Sequence, residues 1–402
     1  MLLSLGVATF MVGLDGRVVA PLLPTIAADF HTSVANAGWL VSGYMLPYGL
    51  CQLAYGPLAD RYGKVQVAAN AMVFFSVGTA LCGAFDSFAA IVILRALTGA
   101  AAAGLIPLTI AYIGDTVPYE RRQATLGMLI ASSGAAQAFS TSAGGSIAAV
   151  IHWRSVFPLL GALAGLSTAA LFVYRKRELR ITNAAPRPSY GAALRTPGMF
   201  SLLSLVAFEG ALFMGSFSFL SGLLEERFRL DALHIGLVLG TAGVAQLASA
   251  RVLPRLLRRV SERGLILLGG SMMAGANLLS AAAPHWAWVV AACALFGAGF
   301  SFCHSTLQTR ATEVLASARG IALSLFAFSL FSGGALGTVV VGYAADAIGY
   351  GATFTVCGLL LFVFTGLAVR TLTPRCSASP SAGAARRSCS TRRSATTSRA
   401  TS

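Results

Sequence analysis

Apolar runs long enough to cross a bilayer recur along the whole chain, and they constrain its fold more than any motif does. Crossing ~30 Å of hydrocarbon as a helix takes about 20 mostly apolar residues. Runs of that size, cut at charge clusters, cover approximately residues 2–23, 37–58, 66–85, 88–114, 124–150, 154–174, 198–221, 233–253, 264–283, 286–309, 319–345 and 351–371. A membrane β-barrel needs ~10-residue segments of alternating polarity, and these runs do not alternate. Only 11% of the 402 residues are charged, whereas a soluble domain carries about 25%, so a water-facing surface could not be clothed. The expected fold is all-α and integral to a membrane, with twelve transmembrane helices. The opening stretch, Met1 to Phe30, has no basic leader and no small-residue cleavage site, so it reads as a retained first helix.

The formal charge of +15 suggests nucleic acid until the bases are located. With the N-terminus cytoplasmic, the even-numbered loops and the tail hold 24 of the 29 Lys and Arg and the odd-numbered loops hold three. That is the signature of cytoplasmic loops, so both termini are expected in the cytoplasm, in a bacterial inner membrane, and no nucleic-acid partner is implied. Seven cysteines, with no pair in a candidate outer loop, do not suggest a disulfide framework. No Cys/His spacing suggests a metal, no cofactor motif is present, and neither a nucleotide-binding GxxxxGK[ST] loop nor HExxH occurs. An enzyme is therefore not expected.

The connection at 175–197, with Pro186, Pro188 and four bases between Arg175 and Arg180, divides the chain into an N-terminal six-helix bundle (1–174) and a C-terminal one (198–371). The halves resemble each other. At an offset of 197, Arg122 falls on Arg319, Leu126 on Leu323, Thr141 on Thr338 and Gly145 on Gly342; at 198, Gly99 falls on Gly297 and Asp115 on Glu313. Two six-helix pseudo-repeats are a hallmark of secondary transporters. The tail, 372–402, is Ser, Arg, Ala and Thr with almost no large apolar residue, and reads as a disordered basic appendage. Its arginines suit anionic membrane lipid, and no protein partner is expected for it.

Between the second and third helices stands Gly56-Pro57-Leu58-Ala59-Asp60-Arg61-Tyr62-Gly63-Lys64. This resembles the loop signature of the major facilitator superfamily: Gly, any, Leu, Ala, Asp, Arg, any, Gly, Arg or Lys. Gly56 and Gly63 permit a tight turn, and Asp60, backed by Arg61 and Lys64, is placed to hold an inner gate shut against a helix N-terminus or an arginine; the alternative is an ordinary loop acid balancing Arg61. In the first helix, Leu14-Asp15-Gly16-Arg17-Val18-Val19-Ala20-Pro21-Leu22-Leu23-Pro24 resembles the signature of drug:proton antiporters, with Arg17 where that signature usually has Thr. Leu94-Arg95-Ala96-Leu97-Thr98-Gly99 follows the family pattern of the fourth helix, with Thr98 replacing Gln. The fifth-helix signature keeps Gly127, Gly144 and Gly145, which are expected to pack helices closely, but Ala136, Ser140 and Thr141 replace its inner Gly and its Gly-Pro.

Ionisable residues inside the membrane are functional candidates because burying a lone charge there costs at least ~2.5–3.5 kcal/mol. They are few: Asp15, Arg17, Arg95, Glu209 and the titratable His304. Asp15 and Arg17 are two positions apart and face different sides of a helix, which makes Arg95 the better partner for Asp15. That pair serves proton coupling or, alternatively, only orients helices. Glu209 reads as a second protonation site, a counter-charge for a cationic substrate, or a structural carboxyl. Arg17, Thr98, Phe213 and His304 are candidates to line a substrate cavity, with Tyr44, Tyr48 and Gln246 behind them; for His304 the alternative is a core histidine. The resemblance implies proton-coupled efflux of amphipathic drug-like compounds by alternating access, its partners being the small-molecule substrate, protons and lipid. The alternatives are a metabolite or sugar permease of the same fold and a non-transporting membrane sensor or scaffold.

Overall fold

A computed structural model describes residues 1–175, 190–315 and 318–371. The expected 372–402 tail and most of the 175–197 connection lie outside the described residues.

The first crossing is not one helix. Helix α1 (Leu2–Asp15) gives way to a single 3-10 turn (Ala20–Leu22) and then to α2 (Leu23–Asp29). Pro21 and Pro24 cause the break: each opens the element it sits in, lacks an N–H, and crowds the carbonyl four residues back, which for Pro21 belongs to Arg17. That carbonyl accepts instead from the Ala20 amide at 3.2 Å. Ser140 donates its hydroxyl to the Leu14 carbonyl just before the break.

A short helix, α3 (Val34–Ala37), capped by the Ser33 hydroxyl at 3.1 Å from the Asn36 amide, leads into α4 (Trp39–Tyr62). Gly63, at φ 90°, turns the chain into α5 (Lys64–Cys82), a conformation glycine adopts without a Cβ penalty. The fourth crossing is again split, into α6 (Phe88–Ala102) and α7 (Leu105–Thr116). Then come α8 (Tyr119–Val150) and α9 (Val156–Arg175), the short α10 (Tyr190–Leu194), and α11 (Met199–Phe228). Helix α12 (Ala232–Leu256) starts at Asp231, whose carboxylate accepts the His234 amide at 2.9 Å and is held below its ordinary pKa of 3.8 by that bond. Helices α13 (Glu262–Ala282) and α14 (Trp286–Val314) precede α15 (Arg319–Thr371), which Gly349, at φ 79° and ψ 158°, breaks into two limbs, 319–348 and 350–371. The described residues thus make twelve helical crossings, as the sequence implies.

Nine of these helical stretches are long and apolar enough to cross a membrane, and the two-limbed α15 counts once among them. The remaining two crossings are α4 and α8, which carry Tyr, Gln, Ser, Thr and Gly through their middles. Packing accounts for that polarity. Helix α4 lies against α15, and α8 lies against α12, so each faces protein along a seam between the first six crossings and the last six. Elsewhere large apolar side chains point outward, Leu3, Phe74, Val150 and Phe200 each more than 70% exposed, which suits lipid and not water.

The same backbone contacts occur in both halves of the chain. A Cβ on Gly99 would land on the Tyr44 carbonyl, and a Cβ on Gly297 would land on the Ala242 carbonyl; both pairs are related by an offset of 198. The glycines let α6 approach α4, and α14 approach α12, backbone to backbone. At the end of the bundle that carries the basic loops, Lys64 pairs with Asp115, and Glu262 pairs with Arg310 at 2.6 Å. Lys64 and Glu262 are also 198 residues apart, so the two halves tie their third crossing to their fourth with ion pairs of opposite polarity.

Candidate functional site

Where α1 ends at the proline-imposed break, Asp15 is fully buried, and Arg95 of α6, 1% exposed, reaches it from across the bundle. Arg95 Nη1 donates to Asp15 Oδ2 at 2.7 Å and Nη2 to the Asp15 carbonyl at 3.4 Å, while Nε donates to the Leu40 carbonyl at 3.4 Å. The Tyr44 ring covers the guanidinium at 4.2 Å, a cation–π contact between two buried side chains. Asp15 Oδ1 and the Tyr44 hydroxyl are buried without a hydrogen-bond partner among the described residues. One carboxylate oxygen is thus engaged by the guanidinium and the other is not. Gly99 explains how the ring arrives: it lies one turn beyond Arg95, and its close approach to Tyr44 sets that side chain beside the guanidinium.

Arg17, on the non-helical stretch between Asp15 and the 3-10 turn, points across the molecule to α11. Its guanidinium lies 5.3 Å from the Phe213 ring and 5.4 Å from the Phe217 ring. With Gly16, Val41, Met45 and Met214 these residues line a cavity of about 10 Å³, room for about one water. One turn before Phe213 on α11, Glu209 is fully buried, and its Oε2 meets Nδ1 of His304 on α14 at 3.1 Å. The His304 ring stacks on Phe300 at 4.5 Å and leans on Phe326 at 5.0 Å; Phe300 in turn stacks on Phe213 at 3.9 Å.

At the end remote from the basic loops the two halves are pressed together. Tyr343 of α15 donates to Asn36 Oδ1 at 3.0 Å and accepts from the Trp39 indole at 3.3 Å. The Phe219 ring abuts Gly38 and Gly342, and Gly145 of α8 packs on Ala232 and Gly236 of α12. These seams reach Gly134 against Leu247 on one side and Gly49 and Tyr48 against Phe331 on the other.

The structure brings Asp15 and Arg95 together, Arg17 and Phe213 together, and Glu209 and His304 together. It does not bring Thr98 to the cavity: Thr98 is fully buried, donates to the Arg95 carbonyl at 3.0 Å and turns its methyl to Gly78 of α5. Its place in the motif suggests the cavity, but its hydroxyl is taken by the helix's own backbone and its methyl fills the space that Gly78 leaves on α5. Tyr44 and Tyr48 are likewise buried in helix packing, at 2% and 4% exposure. Of the helix-packing glycines, Gly144 sits against Val18 at the break and Gly145 against α12, whereas a side chain at Gly127 would meet nothing within 4 Å. In the loop signature Gly56, Asp60 and Arg61 belong to the last turns of α4, Asp60 exposed and Arg61 over the Tyr62 ring at 5.2 Å; Gly63 makes the turn, and Lys64 carries the ion pair to Asp115. The sequence alone did not reveal Tyr343, Phe217, Phe219 or Phe300, because each acts through a partner more than sixty residues away and an aromatic in an apolar run carries no signal of its own.

The sequence profile described as Major Facilitator Superfamily matches residues 5–338. The chain belongs to that family. It is accordingly an integral membrane transporter and not an enzyme. The uncharacterized MFS-type transporter YceJ of Bacillus subtilis (strain 168) is 28% identical over 89% of this chain and 92% of its own. The tetracenomycin C resistance and export protein of Streptomyces glaucescens is 30% identical over 53% of this chain and 37% of its own. Among solved structures, the nucleoside transporter NupG superposes with a TM-score of 0.78 at 12% identity, covering 92% of this chain and all of that one. A bacterial homolog of the human lysosomal transporter Spinster, inward-facing and unoccupied, gives 0.73 at 18% identity over 92% of this chain and 96% of its own. These two likenesses carry the major facilitator fold.

Proposed function

We propose that the protein exports amphipathic organic compounds in exchange for protons, its two six-helix halves (1–174 and 198–371) rocking about the α4–α15 and α8–α12 seams to expose the centre alternately. The basic end is cytoplasmic and the tightly closed end faces outward, across a bacterial inner membrane whose lipid surrounds the exposed apolar belt. The observation that carries this reading is the buried Asp15–Arg95 pair at the broken first helix. Burial opposes the charged form of a carboxylate there and the Arg95 guanidinium favours it, so a change in water access or in Arg95's position alters the balance and can move a proton on or off. Glu209 with His304 offers a second place for a proton in the C-terminal half. Asp60, with Arg61 and Lys64, closes the cytoplasmic end when the halves meet there. The name of the Streptomyces glaucescens relative, a resistance and export protein, supports the direction of transport.

The test is a panel of toxic amphipathic compounds applied to cells expressing the protein, with and without an uncoupler. Expression should raise tolerance to a subset of the panel, the uncoupler should remove it, and Asp15→Asn should remove gradient-driven efflux while substrate binding survives. Glu209→Gln is the internal control: loss there with Asp15→Asn intact would move the coupling proton to α11. A permease or facilitator is the second reading, favoured by the missing Gly-Pro in α8 and by the likeness to a nucleoside transporter. It predicts uptake or efflux indifferent to the uncoupler and to both substitutions.

A further inference from the structure

We propose that Arg17 is the anion-recognition group of the central site, and that the compounds this transporter carries are planar aromatic anions. The inference rests on the transport reading above and narrows it to a substrate class.

The interior charges leave Arg17 over. Asp15 is engaged by Arg95, and Glu209 by His304, so the two interior carboxylates already have partners. Arg17 has no ion pair and no side-chain hydrogen bond among the described residues; its contacts are the faces of Phe213 and Phe217. Ring faces take up a guanidinium's flat side and leave its N–H groups, a fork of donors matched to a carboxylate, without an acceptor among the described residues, on a side chain that lines the cavity. From Arg17 the rings of Phe213, Phe300 and His304 run in a continuous stack to the Glu209 carboxylate, at 5.3, 3.9 and 4.5 Å between successive members and 3.1 Å at the end. The stack keeps the interior cation and the interior anion from neutralising each other directly.

The walls specify the rest of the ligand. Phe213 and Phe217 offer ring faces, and Met45 and Met214 adaptable thioether surface, which together favour a flat aromatic body. In the outward-closed state the cavity is only about 10 Å³, because the phenyl rings of α11 occupy the guanidinium face that a substrate ring would take. Arg17 belongs to the first half and those rings to the second. An incoming aromatic anion therefore competes for the contact that ties the halves together, so that occupying the site loosens the closure.

Purified full-length protein in nanodiscs at pH 7, without any gradient, gives the test by equilibrium binding of radiolabelled 2-naphthoate, 2-naphthamide and 2-naphthylmethylammonium. The expected result is a preference for naphthoate over both others by about tenfold or more, the worth of a charge-assisted hydrogen bond. Arg17→Gln should abolish the preference and Arg17→Lys, which keeps the charge but not the planar fork, should keep part of it. Equal binding of the three probes, binding of the ammonium in preference, no binding of naphthoate, or a preference that survives Arg17→Gln would each overturn the proposal and leave Arg17 as a latch between halves. Should Arg17→Gln fail to fold, the wild-type preference and its partial retention in Arg17→Lys decide the matter. Because no gradient is applied, a failure of proton coupling does not affect this result, and a failure here leaves the uncoupler test standing.

Discussion

At the scale of single residues, the Asp15–Arg95 pair dominates the interior energetics, because removing one partner leaves an uncompensated charge. Arg95→Ala should destabilise the protein by roughly 3–5 kcal/mol, as broken buried pairs do, read as a fall in the thermal midpoint of the detergent-solubilised protein. Adding Asp15→Asn to Arg95→Ala should recover much of that loss while transport stays uncoupled; a double variant as unstable as the single one would mean that Arg95 acts chiefly by packing under Tyr44. The pair was legible in the sequence because ionisable residues stand out in apolar runs and because two motifs flank them. The Tyr44 lid was not, since it depends on the backbone approach at Gly99. Thr98 shows the converse: a residue can occupy a motif position and still face α5, because helical phase and not motif membership decides where a side chain points.

At the scale of helices, glycine marks where backbones touch, and the structure separates glycines that do this from glycines that do not. Gly99→Ala and Gly297→Ala each drive a Cβ into a carbonyl on the facing helix, so both should cost about 1–3 kcal/mol, the range for overpacking. Gly127→Ala, which meets nothing, should be neutral or slightly stabilising through helix propensity. Thermal midpoints of the three purified variants check this; a Gly127→Ala loss equal to the others would contradict the packing described. Helix existence was readable from apolar runs, and helix ends were not. Helix α8 begins at Tyr119, before its apolar run, and α11 continues to Phe228 past its own, because charged turns such as Glu120-Arg121-Arg122 extend a helix beyond the hydrocarbon without adding hydropathy. The glycine count likewise could not say which glycines sit at crossings, a property of two helices and not of one.

At the scale of the whole molecule, the proposed orientation makes a labelling experiment decisive. A cysteine at Asp231, between α11 and α12, should react with an impermeant maleimide in intact cells, and one at Arg259, between α12 and α13, should react only after permeabilisation; the reverse pattern would invert the orientation. The twelve crossings and the 198-residue recurrence of Gly99 in Gly297 were visible in the sequence because both are patterns along the chain. The seams were not, because they join residues such as Asn36 and Tyr343 that are some three hundred positions apart. One joint of the fold bears on how the halves move. Gly349 alone connects the two limbs of α15, of which the first touches α4 through Phe331 and the second packs on α13 through Thr365 and Gly358. A connection one residue long has no slack. It fixes where the second limb begins relative to the end of the first, while the glycine leaves the angle between them free to change, so the limb that meets α4 can tilt without dragging the limb packed on α13 through the same angle.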